Sequence, residues 1–449
     1  MSPHPDSVTI QEAKEIIAQE IENLARRNKE PEWMTRIRYR ALEAFERAPH
    51  RDPIISEEEL LKFIAKPEIA GVPENIESLD DLPPEMKALL DRLGISEVEQ
   101  KYIAGLAVQT DTGVIYNEFL REWEKKGLIV LPMEDAVRRY PDVVKRHFLQ
   151  MFRADESKLA AYHTAVWNGG IFLYLKEGLK VPFPLHLFFL IQESALAQAP
   201  HIIIIAEKNT EFHLIEGCTA PILLKHSLHL DMTEAYIGDG ARAQLTVLQN
   251  WPEYVHTRPM TRARIGKGAR FINTTVGLGT GRSNIANPKY WVDENGYVEL
   301  NGIILGQNDW YVDLGGEMYL RGRGAAGINA SKAVIMDEST VITRGVIKAE
   351  APRTRGHISC DALLMSDSAT METYPGLVSR VDDAELSHEA AIGKIREEEL
   401  FYLMSRGLSE EKATQLIVKG FLEPMLKDIP MEFLVEIRKI IELAVSGGM

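Results

Sequence analysis

The chain of 449 residues carries only two cysteines, Cys218 and Cys360. They can close at most one disulfide, so no disulfide framework exists, and they cannot supply a four-thiolate metal site within one chain. Long apolar runs are also missing. The longest, residues 187–191 and 202–206, fall far short of the roughly 20 residues of a membrane span. The first residues, MSPHPDSVTIQEAKEIIAQE, have no basic segment followed by an apolar one. No secretory signal is expected, and the protein is expected to be soluble and cytoplasmic. Positive charge is in deficit: 51 Lys and Arg stand against 66 Asp and Glu, a net charge of −15. Such a chain is a poor candidate for gripping nucleic acid or an anionic membrane surface.

Familiar catalytic signatures are absent as well. No G-x-x-x-x-G-K-[ST] loop offers a cradle for ATP phosphates, and no H-E-x-x-H helix or G-x-S-x-G elbow occurs. No strand is followed by G-x-G-x-x-G opening a helix. Gly277, Gly279 and Gly281 lie among strands and read as a tight turn.

What is present is ordinary globular material, 45% hydrophobic and 26% charged, enough for a core and for about two to four domains. The first part reads as helix. Ile10, Ala13, Ile16, Ile17, Ile21 and Leu24 form an apolar stripe near the 3.6 period, with Asp6, Ser7 or Thr9 as candidate cap. Pro31 interrupts it and residues 33–45 resume it. A Pro-rich connector spans residues 65–84, and helical patterns return at 85–93 and 135–152.

Beyond about residue 155 the texture changes. Residues 201–360 hold 18 of the 32 glycines, which punctuate short alternating apolar stretches such as 212–216, 244–248, 269–275 and 297–305. That is an all-β signature. Gly240, Gly268 and Gly296 each precede a strand, a hint of stacked coils, although no strict period is visible; a sandwich or barrel is the alternative. Helix returns near the end, with Gly407 as a candidate C′ residue, Ser409 as a cap and Pro430 in a first turn. The expected organisation is a mainly helical domain at 1–155, a β domain at 156–385 and a helical domain at 386–449.

Four places could carry chemistry. Cys218, after glycine at a strand end, is either an accessible thiolate or a small buried hydrophobe. His357 and Cys360 offer metal-ligand types, but positions three apart on a strand point to opposite faces. Ser387, His388 and Glu389 read either as ligands or acid–base groups, or as a helix N-terminus capped by Ser387. His226 and His229 diverge on a strand, with Gln249 and Trp251 downstream.

Together these segments resemble the SufB/SufD family of iron–sulfur cluster assembly scaffolds. The matching phrases are IEGCTAP (215–221), VLQNW (247–251), CDALL (360–364), SHEAAIGKI (387–395), LFYLMSRG (400–407) and IPMEF (429–433). EPEWM (30–34) looks like the SufB side of the family. The resemblance implies a mainly β fold: a right-handed parallel β-helix core flanked by N-terminal and C-terminal helical domains. It implies that the C-terminal helices dock a SufC-type ATPase, and that the β-helix pairs with a SufD-type or identical subunit. It further implies that a transient iron–sulfur cluster forms near that pairing, fed by a desulfurase sulfur donor; flavin binding stays open.

By the same resemblance, Cys218 is the sulfur acceptor, and His229, Gln249 and Trp251 line the sulfur path. Cys360, His388 and Glu389 are the cluster ligands. A mixed thiolate, imidazole and carboxylate set should hold a cluster less firmly than four thiolates, as a scaffold must. Departures from the family pattern are Ser387 in place of Glu, Leu190 and Gln192 in place of Arg and Asn, and Arg262 where a lysine of the sulfur path falls. The chain is expected to be a non-catalytic scaffold, with ATP hydrolysis in the partner. The alternative is a SufD-like structural partner that holds no cluster alone.

Overall fold

The computed structural model describes residues 9–64, 106–110, 113–116, 123–190, 197–219, 227–278, 281–427, 429 and 431–445. The expected Pro-rich connector at 65–84, the helix at 85–93, His226, the centre of the turn at 277–281 and Pro430 lie outside the described residues.

The N-terminal stripe folds as helix Ile10–Arg27. Thr9 accepts from the Glu12 amide while the Glu12 carboxylate takes the Thr9 amide, a reciprocal cap. Its buried residues Ala13, Ile17, Ile21 and Leu24 pack on helix Glu32–Arg47 and on helix Lys158–Val166. The pattern at 135–152 becomes two short helices, Met133–Arg139 and Pro141–His147, because Pro141 cannot continue the first.

The core is a parallel β-solenoid of about seven turns with helices at both ends. One sheet stacks strands Lys180–Leu190, Glu211–Thr219, Arg242–Asn250, Arg270–Gly277, Tyr297–Gly306, Ala326–Ile335, Arg355–Leu364 and Glu385–Gly393, each parallel to the next. From 211 onward successive strands begin 27–31 residues apart, a period that variable corners hide in the sequence. A second sheet closes the coil from the other side, and apolar residues of both fill the interior.

The corner follows a rule. Two residues before the starts of seven of these strands the backbone enters the left-handed region, at Gly178, Asn209, Gly240, Gly268, Asn295, Gly324 and Arg353; the last strand, from Glu385, departs from the rule. Glycine and asparagine tolerate that conformation best. The left-handed position before Tyr297 is therefore Asn295, and Gly296, singled out from the sequence, is the small residue that follows it. There a Cβ would come within 3.0 Å of the Gly266 carbonyl oxygen.

Strands also occur before residue 156, at Leu106–Thr110, Gly113–Tyr116 and Leu128–Pro132, and the last strand runs to Gly393 rather than yielding to helix at 386. The reading of Ser387–Glu389 as a helix N-terminus is thereby overturned. Helix resumes at Glu397–Ser405, ends with Gly407 at φ 93°, and Ser409 caps helix Glu410–Leu426. The last two helices, Glu410–Leu426 and Met431–Val445, lay Val418, Leu422, Ile437 and Ile441 over the outer face of the first sheet, against Ile215, Leu248, Ile303 and Val334. Among the described residues, no helix is long and apolar enough to cross a membrane.

Candidate functional site

Strand alternation decides what faces the lumen. On Glu211–Thr219, Phe212, Leu214, Glu216 and Cys218 point inward while Ile215 meets the C-terminal helices outside. Cys218 is 1% exposed. Of its two readings from sequence, the buried one describes the structure. Its Sγ lies 3.5 Å from Glu216 Oε1. Burial pushes the Cys218 thiol well above its ordinary range, and the Glu216 and Asp231 carboxylates push it further. Glu216 is itself raised by burial and by Asp231.

His229 ends the short strand Ser227–His229 and is fully buried. Its Nδ1 is 2.9 Å from Gln198 Oε1, and its Nε2 is 3.4 Å from Asp231 Oδ1. The Trp251 ring lies 5.0 Å from the His229 ring. Gln249 sits directly opposite Cys218 in the strand register, and its Oε1 accepts from Asn284 Nδ2 at 2.7 Å. The fold thus gathers Cys218, His229, Gln249 and Trp251 at one level of the coil. Glu216 and Asp231 join them, two residues from Cys218 and His229 respectively. Sequence reasoning passed over both; a two-residue offset on a strand was the signal for Glu216, whereas Asp231 lies past the end of the His229 strand.

Arg262 does not belong to this group. Thr261 and Ala263 turn inward, so Arg262 turns outward, where both Glu156 oxygens accept from Nη2 at 2.9 Å and the guanidinium covers Phe152. Arg262, where the resemblance puts a lysine of the sulfur path, thus lies outside the lumen.

At the other end, Cys360 is 3% exposed and its Sγ accepts from Thr343 Oγ1 at 3.5 Å. It points inward with Ile358, while His357 points out, as period-two alternation requires. In register, Ala390 lies beside Cys360 and His388 beside Ile358. His388 therefore shares the inner face with Cys360, diagonally across one strand gap, about 8 Å between Cα atoms by ordinary strand spacing. Glu389 does not join them. It pairs with Ser359 on the outer face, where its carboxylate is 3.4 Å from His357 Nε2, and Ser387 Oγ is 2.8 Å from His357 Nδ1.

The two cysteines face the same interior. Their strands are five steps apart in one sheet, about 24 Å. Glu216 and Cys360 fall in one column: Glu216, Val247, Thr275, Gly302, Ser331 and Cys360 are successive register partners. A narrow internal cavity of about 60 Å³ follows that column, lined at one end by Glu216, Asp231 and Gln249 and at the other by Thr343 and Cys360. Apolar atoms form most of its lining, and the inward-facing Asn273, Asn329 and Ser331 add polar groups along it.

The family model for the core domain of SufBD proteins, the SUF system of iron–sulfur cluster assembly, matches residues 189–421. The chain is 79% identical over 443 residues to an iron–sulfur cluster assembly SufBD family protein of Pyrococcus horikoshii, covering 99% of each. It is 31% identical over 457 residues to the iron–sulfur cluster assembly protein SufB of Bacillus subtilis, covering 99% of this chain and 97% of that one. A SufBD family protein of Staphylococcus aureus is 32% identical over the same length.

Proposed function

The chain belongs to the SufBD family of iron–sulfur cluster assembly proteins, and from that premise we propose that it is a scaffold subunit that takes up sulfur at Cys218 and assembles a nascent cluster at Cys360 and His388. The observation that carries this reading is the lumen. One continuous cavity starts beside the Cys218 cluster and ends at Cys360, in the coil next to the free edge of the sheet.

Uptake is a thiol exchange: the Cys218 thiolate attacks the outer sulfur of a donor persulfide, giving Cys218 persulfide and the donor thiolate. In the closed structure Cys218 is a buried thiol held protonated, so uptake requires opening of the coil or a compensating positive charge. Five strand steps separate the cysteines, too far for direct exchange. Sulfur leaves Cys218 as hydrosulfide when a thiol reductant supplies two electrons, and the lumen shields it from bulk water. At the far end a thiolate and an imidazole from one chain leave iron coordination incomplete. A second subunit paired along strand Glu385–Gly393 supplies the rest, and Glu389, on the outer face, serves only if pairing rearranges the edge.

The last coil supports such pairing: Tyr374, Leu377, Val378 and Ile392 are exposed at the open end of the solenoid. The C-terminal helices present Phe401, Tyr402 and Leu416 to solvent, a surface suited to a SufC-type ATPase. ATP hydrolysis belongs to that partner, and this chain catalyses no step of it.

Anaerobic reconstitution with iron and sulfide tests the scaffold role. The parent is expected to bind a cluster, and Cys360→Ser and His388→Ala to lose roughly 10–100-fold in affinity while staying folded. Glu389→Gln is expected to change it less. Equal iron and sulfide in the parent, Cys360→Ser and His388→Ala would remove these residues from the ligand set. No binding by the parent, even with the ATPase, would favour the SufD-like role.

A further inference from the structure

The sulfur reading covers Cys218 and places His229 on the sulfur path, but it leaves Glu216 and Asp231 unexplained. Glu216, Cys218, His229 and Asp231 are all at least nine-tenths buried, and the candidate ligand atoms of the first three lie within 4.8 Å of one another. The amide oxygen of Gln198 can only accept, so His229 Nδ1 donates to it and carries the ring proton. Nε2 then presents a lone pair. It finds no donor among the described residues, and neither does Asp231 Oδ1, 3.4 Å away. Two unsatisfied acceptors face each other in the buried interior, beside a second carboxylate. A buried arrangement of that kind is costly unless a positive charge sits among the acceptors.

We propose that Glu216, Cys218 and His229 ligate a divalent first-row cation of borderline softness, Fe²⁺ or Zn²⁺, with Asp231 completing the site. The donor set selects the class. One thiolate, one imidazole and carboxylate oxygens suit iron and zinc and do not suit Mg²⁺ or Ca²⁺. The spacing fits too. Metal–ligand bonds of about 2.0–2.3 Å in a tetrahedron set ligand–ligand edges of about 3.3–3.8 Å. The Cys218–Glu216 and His229–Asp231 separations are 3.5 and 3.4 Å. A second-sphere acceptor on the distal histidine nitrogen, here Gln198, is the usual device that fixes the ligating tautomer. Binding would release the Cys218 proton, hold the sulfur as thiolate and cover it. The site rests on this geometry and stands whether or not Cys218 accepts sulfur.

The test uses the full chain carrying Cys360→Ser, in which Cys218 is the sole thiol and every proposed ligand is intact. The metal-free protein is titrated anaerobically with Co²⁺, whose thiolate charge-transfer absorption in the near ultraviolet reports a sulfur ligand. One Co²⁺ per chain with that absorption is expected. Adding Cys218→Ser should abolish the band, and adding His229→Ala should weaken Co²⁺ binding at least about tenfold. Competition with Zn²⁺ and, separately, Fe²⁺ identifies the occupant: displacement by either supports the site. Absence of the band at excess Co²⁺, an unchanged affinity in His229→Ala, or a bound Co²⁺ that neither metal displaces would overturn it. The appearance of the band is read with every ligand in place, so a misfolded variant cannot obscure it. Because Cys360 is absent throughout, failure here is distinct from failure of cluster assembly at the far end.

Discussion

Replacing Arg38 with alanine is expected to destabilise the protein by about 3–5 kcal/mol, the cost of breaking a buried ion pair by removing one partner. Arg38 lies on helix Glu32–Arg47 and is fully buried. Its guanidinium forks onto Glu30, Nε to Oε2 at 2.9 Å and Nη2 to Oε1 at 2.6 Å. The third edge is spent on the Ala165 carbonyl, 3.0 Å from Nη1, and the flat face lies 4.5 Å from the Trp167 ring. The Glu30 side chain is 1% exposed, so it cannot turn to water when the arginine goes. Ala165 and Trp167 belong to the segment that enters the first coils, so the pair ties the N-terminal helices to the solenoid.

Arg38→Lys keeps the charge but cannot reproduce the fork or the stacking, and an intermediate loss is expected. The double change Arg38→Met with Glu30→Gln should recover much of the loss, because the expense lies in the orphaned charge. Denaturant midpoints of the four proteins measure this. A shift of under about 1 kcal/mol in Arg38→Ala would mean that Glu30 reaches solvent or a new donor.

Proline at Ala390 is expected to weaken the proposed subunit pairing about a hundredfold while leaving the solenoid intact. In a parallel strand the backbone groups of successive residues turn alternately to the two neighbours. The Glu385 amide donates to the Thr354 carbonyl at 2.9 Å, so odd-numbered residues of the last strand face the preceding coil. Even-numbered ones, Ala390 among them, present their amides to the free edge, where no described strand pairs. Ala390→Pro removes a donor from that edge and puts a ring in the path of an incoming strand, about 3 kcal/mol, or roughly a hundredfold in dissociation constant. Ala391→Pro is the control: its amide faces the preceding coil, so it should lower stability. Light scattering, with the chain alone and with a SufD-type subunit, reads the outcome. An Ala390→Pro protein that pairs as tightly as the parent would place the interface elsewhere, and an unpaired parent in both settings would remove the pairing from the proposal.

Much of the architecture was legible along the chain because its causes are local. Alternation marked the strands, Ser409 and the group Asp6, Ser7 and Thr9 marked helix starts, and Gly407 marked an end, since each acts within one turn or one pleat; the structure chose Thr9. The opposed directions of His357 and Cys360 followed from period-two geometry alone. The coil length did not, because it is a sum over strands and corners of unequal size, and the left-handed corner position can be filled by glycine, asparagine or even arginine.

The candidate site divides the same way. The order of residues along the chain settles which side chains bring chemistry: two thiols, a few histidines and the phrases around them that carry the family likeness. Which of them meet is settled by folding. Folding aligned Glu216 with Cys360 through five strand registers and left a cavity along the column. It brought Asp231 and His229 to Cys218, turned Arg262 away from them, and set His388 on the same face as Cys360. Those relations depend on the register between coils, which is set by corner lengths and interior packing across roughly thirty residues of chain at each step. No local pattern carries that information, because alternation says only that neighbours differ in face, and the fold alone says what each face meets.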